Sequence, residues 1–526
     1  MQQERRIGQN KITGARTTMR VIVIGAGIGG LCCGAKLAKD GNHVLILEEN
    51  AHIGGTSYIF SRGEYSFPMG PLAFSYPRRV KTFLAEAGAN REIEFRRNHF
   101  QLVTPYINII YSQPLDDLGN QLKKIFPGET VGIDSFVTEM RKIIALTKDI
   151  DQWHPKVLLG KKRDAALRDM SSSHRERLTI IEEYSSTPAA EFLDSNITDE
   201  HLKNLLGSQG TSPPEMSMLL LAFMWNLMSD EGIWFPSCGI HGLSDMLRDA
   251  LLASGGEVKL DSPVKKILAE NGMALGVETE NNDVYRGDWI VSNVGQKKTF
   301  LELISSEEVP SDYLNLMKTV PYTQSEFCVY LGINPMKVDL SRMKADHLFF
   351  RKEIAPGKAY DAEDFDNREI EICMWSKNAP ASVPEGRASL ILRVSFSHER
   401  FSSWRTGKKL RIEGYSEYKK RLANKLIQTV EAIFPGLASS IEVIEIATPL
   451  TYQDWGNRFQ GAVAGWTWST EFSRLIPNKS LIETPIRNLL MTGLFAASEL
   501  YLGGVPTSMH TATLASDFIL EHVQHL

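Results

Sequence analysis

Cysteine is scarce in this chain, and no cysteine pairing pattern occurs. Five of the 526 residues are cysteines, at 32, 33, 238, 328 and 373, and none stands in a CxxC pair. Neither a zinc site nor a disulfide framework follows from that spacing. HExxH is missing, and so is any Ser-His-Asp signature, so the usual markers of metal-assisted and serine hydrolysis are absent. A basic excess is missing too: 58 Lys and Arg stand against 63 Asp and Glu, a net charge of −5. Nucleic-acid proteins normally carry the opposite sign, so nucleic acid is not expected as a partner. No apolar run approaches the ~20 residues of a membrane-spanning helix. The longest candidate, Met216–Met228, has 13 residues, with Ser217 and Asn226 inside it. Residues 1–18 are polar and lack an apolar h-region, so they read as a disordered tail and not as a secretory signal. The expected location is cytoplasmic, or peripheral on the inner face of a membrane, and not secreted.

Disorder as a class is excluded, because 43% of residues are hydrophobic and only 23% charged. The informative stretch is VIVIGAGIGGLCCGAKLAKDGNHVLILEE, residues 21–49. Val21–Ile24 is a short apolar run, as a parallel strand buried on both faces requires. Gly25, Gly27 and Gly30 then form G-x-G-x-x-G, with Ile28 and Gly29 between them. Gly25 permits a tight turn, Gly27 lets backbone approach a pyrophosphate, and Gly30 lets helix and strand pack closely. A helix is expected to about Lys39, ended by Asp40-Gly41, with Cys32 and Cys33 as small helix residues. Its N-terminus offers free N–H groups to phosphates. His43–Leu47 reads as the second strand, closed by Glu48, 23 residues after Gly25. A carboxylate there accepts hydrogen bonds from a ribose diol and repels a 2′-phosphate.

The following segment, ENAHIGGTSYIF, contains Gly54-Gly55 six residues after Glu48. It resembles the extended FAD signature, in which a second glycine pair brings a loop against the same cofactor. FAD is therefore expected and NADP is not. The signature often has Arg after the pair, but this chain has Thr56.

The rest of the chain reads as a mixture. Residues 75–150 combine short strands with helices, including an amphipathic helix at Ser135–Leu146. Residues 151–228 look mainly helical. A helix, a strand and a meander ending in Trp289–Ser292 are expected over 234–295. Strands are expected at 323–333 and 389–397, and a helix at Tyr415–Phe434. The expected class is α/β: a Rossmann-like FAD-binding domain assembled from discontinuous segments, with a second, mixed α+β substrate domain. The FAD domain would comprise 19–77, 229–320 and 481–526. The substrate domain, with a helical cap, would comprise 78–228 and 321–480. No repeat is visible, and nothing in the sequence specifies an oligomeric state.

Several later blocks share one order with a known group: FPSCGIHGLSDMLRDAL with VKKI after it, then WIVSN, ATPLTYQDWGNRFQGAVAG, and NLLMTGLFAASELYLGGVPTSMHTATLASDFI. Together with the N-terminal motif they resemble the phytoene desaturase, carotenoid isomerase and retinol saturase group of FAD oxidoreductases. The broader superfamily includes amine oxidases. The resemblance covers nearly all of residues 19–526. It implies that Val264 meets the adenine side through backbone bonds. Gly70, Pro71 and Leu72 would lie near the flavin or its ribityl chain, and Gly493 near the pyrophosphate. Gly504 and Val505, before Pro506, would put a helix N-terminus by the flavin N1/O2 edge. The group commonly has an acid after the last-strand glycine, whereas here Leu494 follows Gly493. The substrate implied is an apolar isoprenoid or polyene, changed by desaturation, saturation or redox-assisted cis–trans isomerisation. An amine oxidase-like enzyme for a polar substrate and a noncatalytic FAD-binding relative stay open beside it.

No catalytic residue announces itself. Glu499 and His510 are weak acid/base candidates, and Arg458 could hold a polar substrate end. The methionines of 216–228 suit either a greasy tunnel or plain core. The basic segment 153–170, with Lys156, Lys161, Lys162 and Arg163, could rest on an anionic membrane surface or be an ordinary solvated helix face.

Overall fold

Strand β1 (Arg20–Ile24) is buried from Val21 onward and runs parallel to both of its neighbours. Helix α1 (Ile28–Lys39) and strand β2 (His43–Leu47) complete the expected βαβ unit at the expected limits. The structure, a computed structural model, describes residues 18–208, 216–353, 361–476, 479–498 and 502–523. The expected tail, apart from Thr18, lies outside the described residues, and so does Glu499.

The parallel sheet has five strands, in the order Glu257–Lys259, β2, β1, Trp289–Ser292, Leu489–Met491. These strands come from three separated stretches of chain, all inside 19–77, 229–320 and 481–526. A parallel sheet needs cover on both faces. Helix α1 packs against the C-terminal helix Gly504–Val523 and against helix Gly239–Ala253. Cys32 and Cys33 are buried in α1, and burial pushes both thiols up, that of Cys33 to about 11. They are packing residues, as expected.

A second sheet has seven strands, in the order Ile441–Ala447, Ser325–Ile333, Ala388–Phe396, Ile370–Cys373, His347–Phe350, Phe100–Val103, Asn108–Ile110. All seven lie inside 78–228 and 321–480. Side chains alternate between the faces of a strand, and here the alternation separates two functions. Phe327, Val329, Leu331, Leu348, Phe350, Ile372, Leu390, Leu392 and Val394 share one core with Leu422, Leu426 and Val430 of helix Tyr415–Glu431. The opposite face carries Glu326, Arg393, Glu371 and His347; Glu371 stands directly across from Arg393, with Glu326 and His347 on the next strands out. This face turns toward the first unit.

Helices from Leu115 to Asn226 surround a third core that includes Phe136, Met140, Leu193 and Trp225. Helix Thr130–Leu146 begins five residues before the expected Ser135. Gly132 is the reason: a Cβ there would lie 2.2 Å from the Asn196 carbonyl oxygen, so the glycine marks close packing and not a break. The helix expected at Tyr415–Phe434 ends at Glu431, before the Pro435-Gly436 turn.

Met216 and Met218 are core residues, whereas Met228, in the turn Leu227–Glu231, lines a cavity. In the basic segment, Leu158 and Leu159 are buried, Lys162 pairs with Glu521 at 2.7 Å, and Arg163 pairs with Glu483. Leu167, on helix Gly160–Arg168, stays 50% exposed. Among the described residues, no helix is long and apolar enough to cross a membrane.

Candidate cofactor site and adjoining chamber

A cleft of about 320 Å³ opens where the glycine turn of the first unit faces the polar side of the second sheet. Gly25 takes φ +95°, and its N–H donates to Leu47 O at 2.8 Å. Glu48 holds this turn. Its Oε2 accepts from Ala26 N–H at 2.7 Å, and its Oε1 accepts from the backbone and side-chain N–H of Asn50, both at 2.9 Å. Gly54 N–H donates back to Ala26 O at 2.8 Å, so the second glycine pair is pinned to the first turn. Gly54 and Gly55 both have positive φ, at +97° and +54°.

Asn293, at the end of strand Trp289–Ser292, sits in the middle of the glycines. A Cβ on Gly27, Gly29 or Gly493 would lie 2.8, 2.7 or 2.4 Å from its carboxamide. Gly30 lies beneath the cleft and not on its wall: a Cβ there would meet Gly25 O at 2.1 Å, the close helix–strand packing expected of it.

Thr56 borders the opposite wall. Its Oγ1 accepts from Arg458 Nη2 at 2.9 Å. Arg458 is half-buried, and desolvation pulls its guanidinium down to about 10. Its Nη1 is buried with no hydrogen-bond partner, and the residue lines the cleft. A buried donor left unpaired is costly; in a cleft it marks the place of an anionic or oxygen-rich ligand. Chain 402 positions further on thus places a guanidinium against Thr56, the position at which the extended signature often has Arg.

Of the residues read from the sequence, Gly25, Gly27, Ile28, Gly29, Glu48, Gly54, Gly55, Thr56, Gly70, Pro71, Val264, Arg458, Gly493, Gly504 and Val505 line this cleft, as does Leu494. Leu72 lines an adjoining chamber instead. His510 does not reach the cleft. It lies against the Phe83 ring and borders a separate 70 Å³ cavity, and burial lowers its pKa. Its role as an acid or base at the flavin is withdrawn on that placement. Sequence reasoning passed over Asn293, Glu326, Arg393 and Tyr452, which also line the cleft. Only Asn293 had a local signal, as the last residue of the WIVSN block.

The adjoining chamber, about 260 Å³, shares Pro71 and Arg393 with the cleft. Leu72, Phe100, Met228, Ile233 and Phe349 make its apolar wall, and His347, Glu371 and Arg393 its polar one. Arg393 Nη2 lies 2.9 Å from Glu326 Oε2 and 3.3 Å from Gly70 O, and its Nη1 lies 3.4 Å from Glu371 Oε2. Glu371 Oε1 is 2.9 Å from His347 Nδ1, and the imidazole stacks on Phe100 at 4.7 Å. Burial opposes charge on both partners but is outweighed. Arg393 and His347 hold Glu371 down to about 2, while Cys373 and Glu371 lift His347 to about 10. Arg393⁺, Glu371⁻ and His347⁺ therefore alternate in sign along the row, with the Glu326 side chain on the other side of Arg393.

The residues of the cleft suit a flavin dinucleotide. A glycine cradle backs onto the α1 N-terminus, a carboxylate closes β2, a second glycine pair is tied to the first, and Arg458 has an orphaned donor. Such a site, opening onto a chamber in a second sheet unit, defines an FAD-dependent oxidoreductase. The chain belongs to the flavin-containing amine oxidoreductase family, whose family model matches residues 28–331, more than half its length. Over nearly the whole chain it is similar to all-trans-retinol 13,14-reductase of Danio rerio, at 24% identity covering 96% of this chain and 86% of that one. It is also similar to the chloroplastic prolycopene isomerase of Daucus carota, at 25% identity covering 91% and 76%. The zeta-carotene-forming phytoene desaturase of Myxococcus xanthus is 24% identical, covering 95% and 94%. Among solved structures, a redesigned putrescine oxidase superposes with a TM-score of 0.62 at 12% identity, covering 96% and 99%, which shows a shared fold.

Proposed function

We propose that the protein changes the C–C bond order or geometry of an apolar isoprenoid or polyene, carotenoid- or retinoid-like, with FAD in the cleft. The observation that carries this reading is the chamber whose apolar wall includes Leu72, Phe100 and Phe349 and which meets the cleft at Pro71 and Arg393. Similarity along nearly the whole chain to three enzymes named for polyenes supports it. We assign the pyrophosphate to Gly25–Ile28 and Gly29 at the α1 N-terminus, the adenosine ribose to Glu48, and the adenine side to Val264. Gly54, Gly55, Thr56 and Arg458 would hold the middle of the cofactor, with Gly493 beside it. Gly70 and Pro71 would face the flavin. The N-terminus of the C-terminal helix, Gly504 and Val505, would sit at the flavin edge that becomes negative on reduction. The domain limits 19–77, 229–320 and 481–526 against 78–228 and 321–480 follow the same division.

Bound flavin supplies the hydride acceptor or donor that no side chain can replace. The chain's own residues position and enclose. Arg393 donates to the Gly70 carbonyl and so ties the segment facing the flavin to the second sheet. Leu72, Phe100 and Phe349 would hold the chain of the substrate and exclude water. The test is anaerobic mixing of the FAD-loaded protein with a panel of carotenes, retinoids and amines while flavin absorbance is followed. Bleaching, or substrate isomerisation, by a polyene supports the reading. Bleaching by an amine alone overturns it.

A further inference from the structure

We infer that the chamber binds the oxygen-bearing end of its polyene, so that the preferred substrate is a polyene alcohol and not a hydrocarbon. This rests on the polyene reading above and narrows it. The argument is the wall itself. Four ionisable groups from four strands line up on the sheet face turned toward the flavin cleft, and three of them border the chamber. Charges are costly to remove from water. A hydrocarbon filling this chamber would displace water from Glu371 and Arg393 and return no hydrogen bond. A hydroxyl returns both kinds. Glu371 is acceptor-only, with about four lone-pair sites, and the contacts of His347 Nδ1 and Arg393 Nη1 occupy only two of them. Arg393 is donor-only, with five N–H groups. A hydroxyl can therefore donate to Glu371 and accept from Arg393 at once, whereas a carbonyl satisfies only the second.

Asn98 closes the far end of the row. Its Nδ2 lies 3.2 Å from His347 Nε2, and its Oδ1 is buried without a hydrogen-bond partner. Arg393 and His347 hold Glu371 as a carboxylate, leaving it an acceptor for substrate. The rest of the chamber, with Phe100, Phe349, Leu72, Met228 and Ile233, accepts the conjugated chain beyond the hydroxyl.

The experiment uses the full-length, FAD-loaded protein under anaerobic conditions. All-trans-retinol and its deoxygenated hydrocarbon analogue are titrated, and binding is read from the perturbation of the flavin spectrum. The alcohol should bind at least about tenfold tighter, since a site that pairs a hydroxyl rejects the analogue lacking it. Glu371→Gln should reduce that preference several-fold with FAD still bound. Phe349→Trp, which fills the chamber, should weaken both ligands together. Equal binding of alcohol and hydrocarbon by the unaltered protein overturns the inference while leaving the polyene reading in place. An unchanged preference in a folded Glu371→Gln protein also overturns it. No binding of either polyene, with bleaching by an amine, overturns the polyene reading itself.

Discussion

Arg458 donates to Thr56 across 402 positions of sequence, at 2.9 Å, and keeps its second terminal nitrogen buried and unpaired beside the cofactor cleft. The extended FAD signature often carries arginine where Thr56 stands. In this chain the hydroxyl at 56 accepts from a guanidinium delivered by the other unit.

Arg458→Ala should therefore weaken FAD retention by about tenfold or more, about 1.4 kcal/mol, measured as flavin released on gel filtration or as a dissociation constant. The sharper form is a swap. Thr56→Arg added to Arg458→Ala should recover most of the loss, because it returns a guanidinium to the same space. Unaltered FAD affinity in the Arg458→Ala protein would count decisively against the assignment.

Much of the first unit was legible because its signals are local. Val21–Ile24, the glycines and Glu48 lie within one βαβ unit, and α1 and β2 form at the limits read from periodicity. The charged row was not legible. Glu326 and Arg393 sit on the strands expected at 323–333 and 389–397, but no strand was expected around His347 or Glu371, and register between strands distant in sequence is not visible. His510 shows a related difficulty. It lies on the helix whose Gly504, Val505 and Ser508 line the cleft. At about 100° per residue, it points about 200° away from Ser508 and meets Phe83 instead.

Glu48 is expected to matter before any cofactor binds. Glutamine in its place cannot accept from both Ala26 N–H and the two Asn50 donors. One buried donor loses its partner, at about 1–3 kcal/mol. Glu48→Gln should lower the melting temperature of the apoprotein as well as FAD retention. An apoprotein melting like the unaltered one would limit Glu48 to cofactor contact alone.

Gly132 tests packing far from the cleft. Alanine favours helix over glycine by roughly 1 kcal/mol in an open position. Here its Cβ would meet Asn196 O at 2.2 Å and the Ile197 side chain at 2.6 Å. Overpacking of that kind costs about 1–3 kcal/mol, so Gly132→Ala should destabilise the protein without altering the affinity for FAD. A stability gain in urea unfolding would show that the Asn196 turn yields freely.

The charged row also sets a pH profile with a definite sign. Glu371 titrates near 2 when folded against an ordinary 4.5, because Arg393 and His347 outweigh the cost of its burial. A depressed carboxyl stabilises the fold above pH 4.5, and this contribution is lost as pH falls toward 2. His347 moves the other way, from 6.5 to about 10. Its contribution is whole below pH 6.5 and is lost as pH rises through 10. Burial raises Glu369 from 4.5 to about 8, so the folded protein keeps a proton that the unfolded chain gives up, and stability falls between those values. Together these place the greatest stability at mildly acidic pH, with a long decline toward pH 10. Urea midpoints measured from pH 4 to pH 10 should follow that curve. Glu369→Gln should flatten its part between pH 4.5 and 8, and His347→Gln its part between pH 6.5 and 10. A midpoint still rising from pH 7 to pH 10 would mean that His347 is neutral in the folded protein and that Glu371 is held by Arg393 alone.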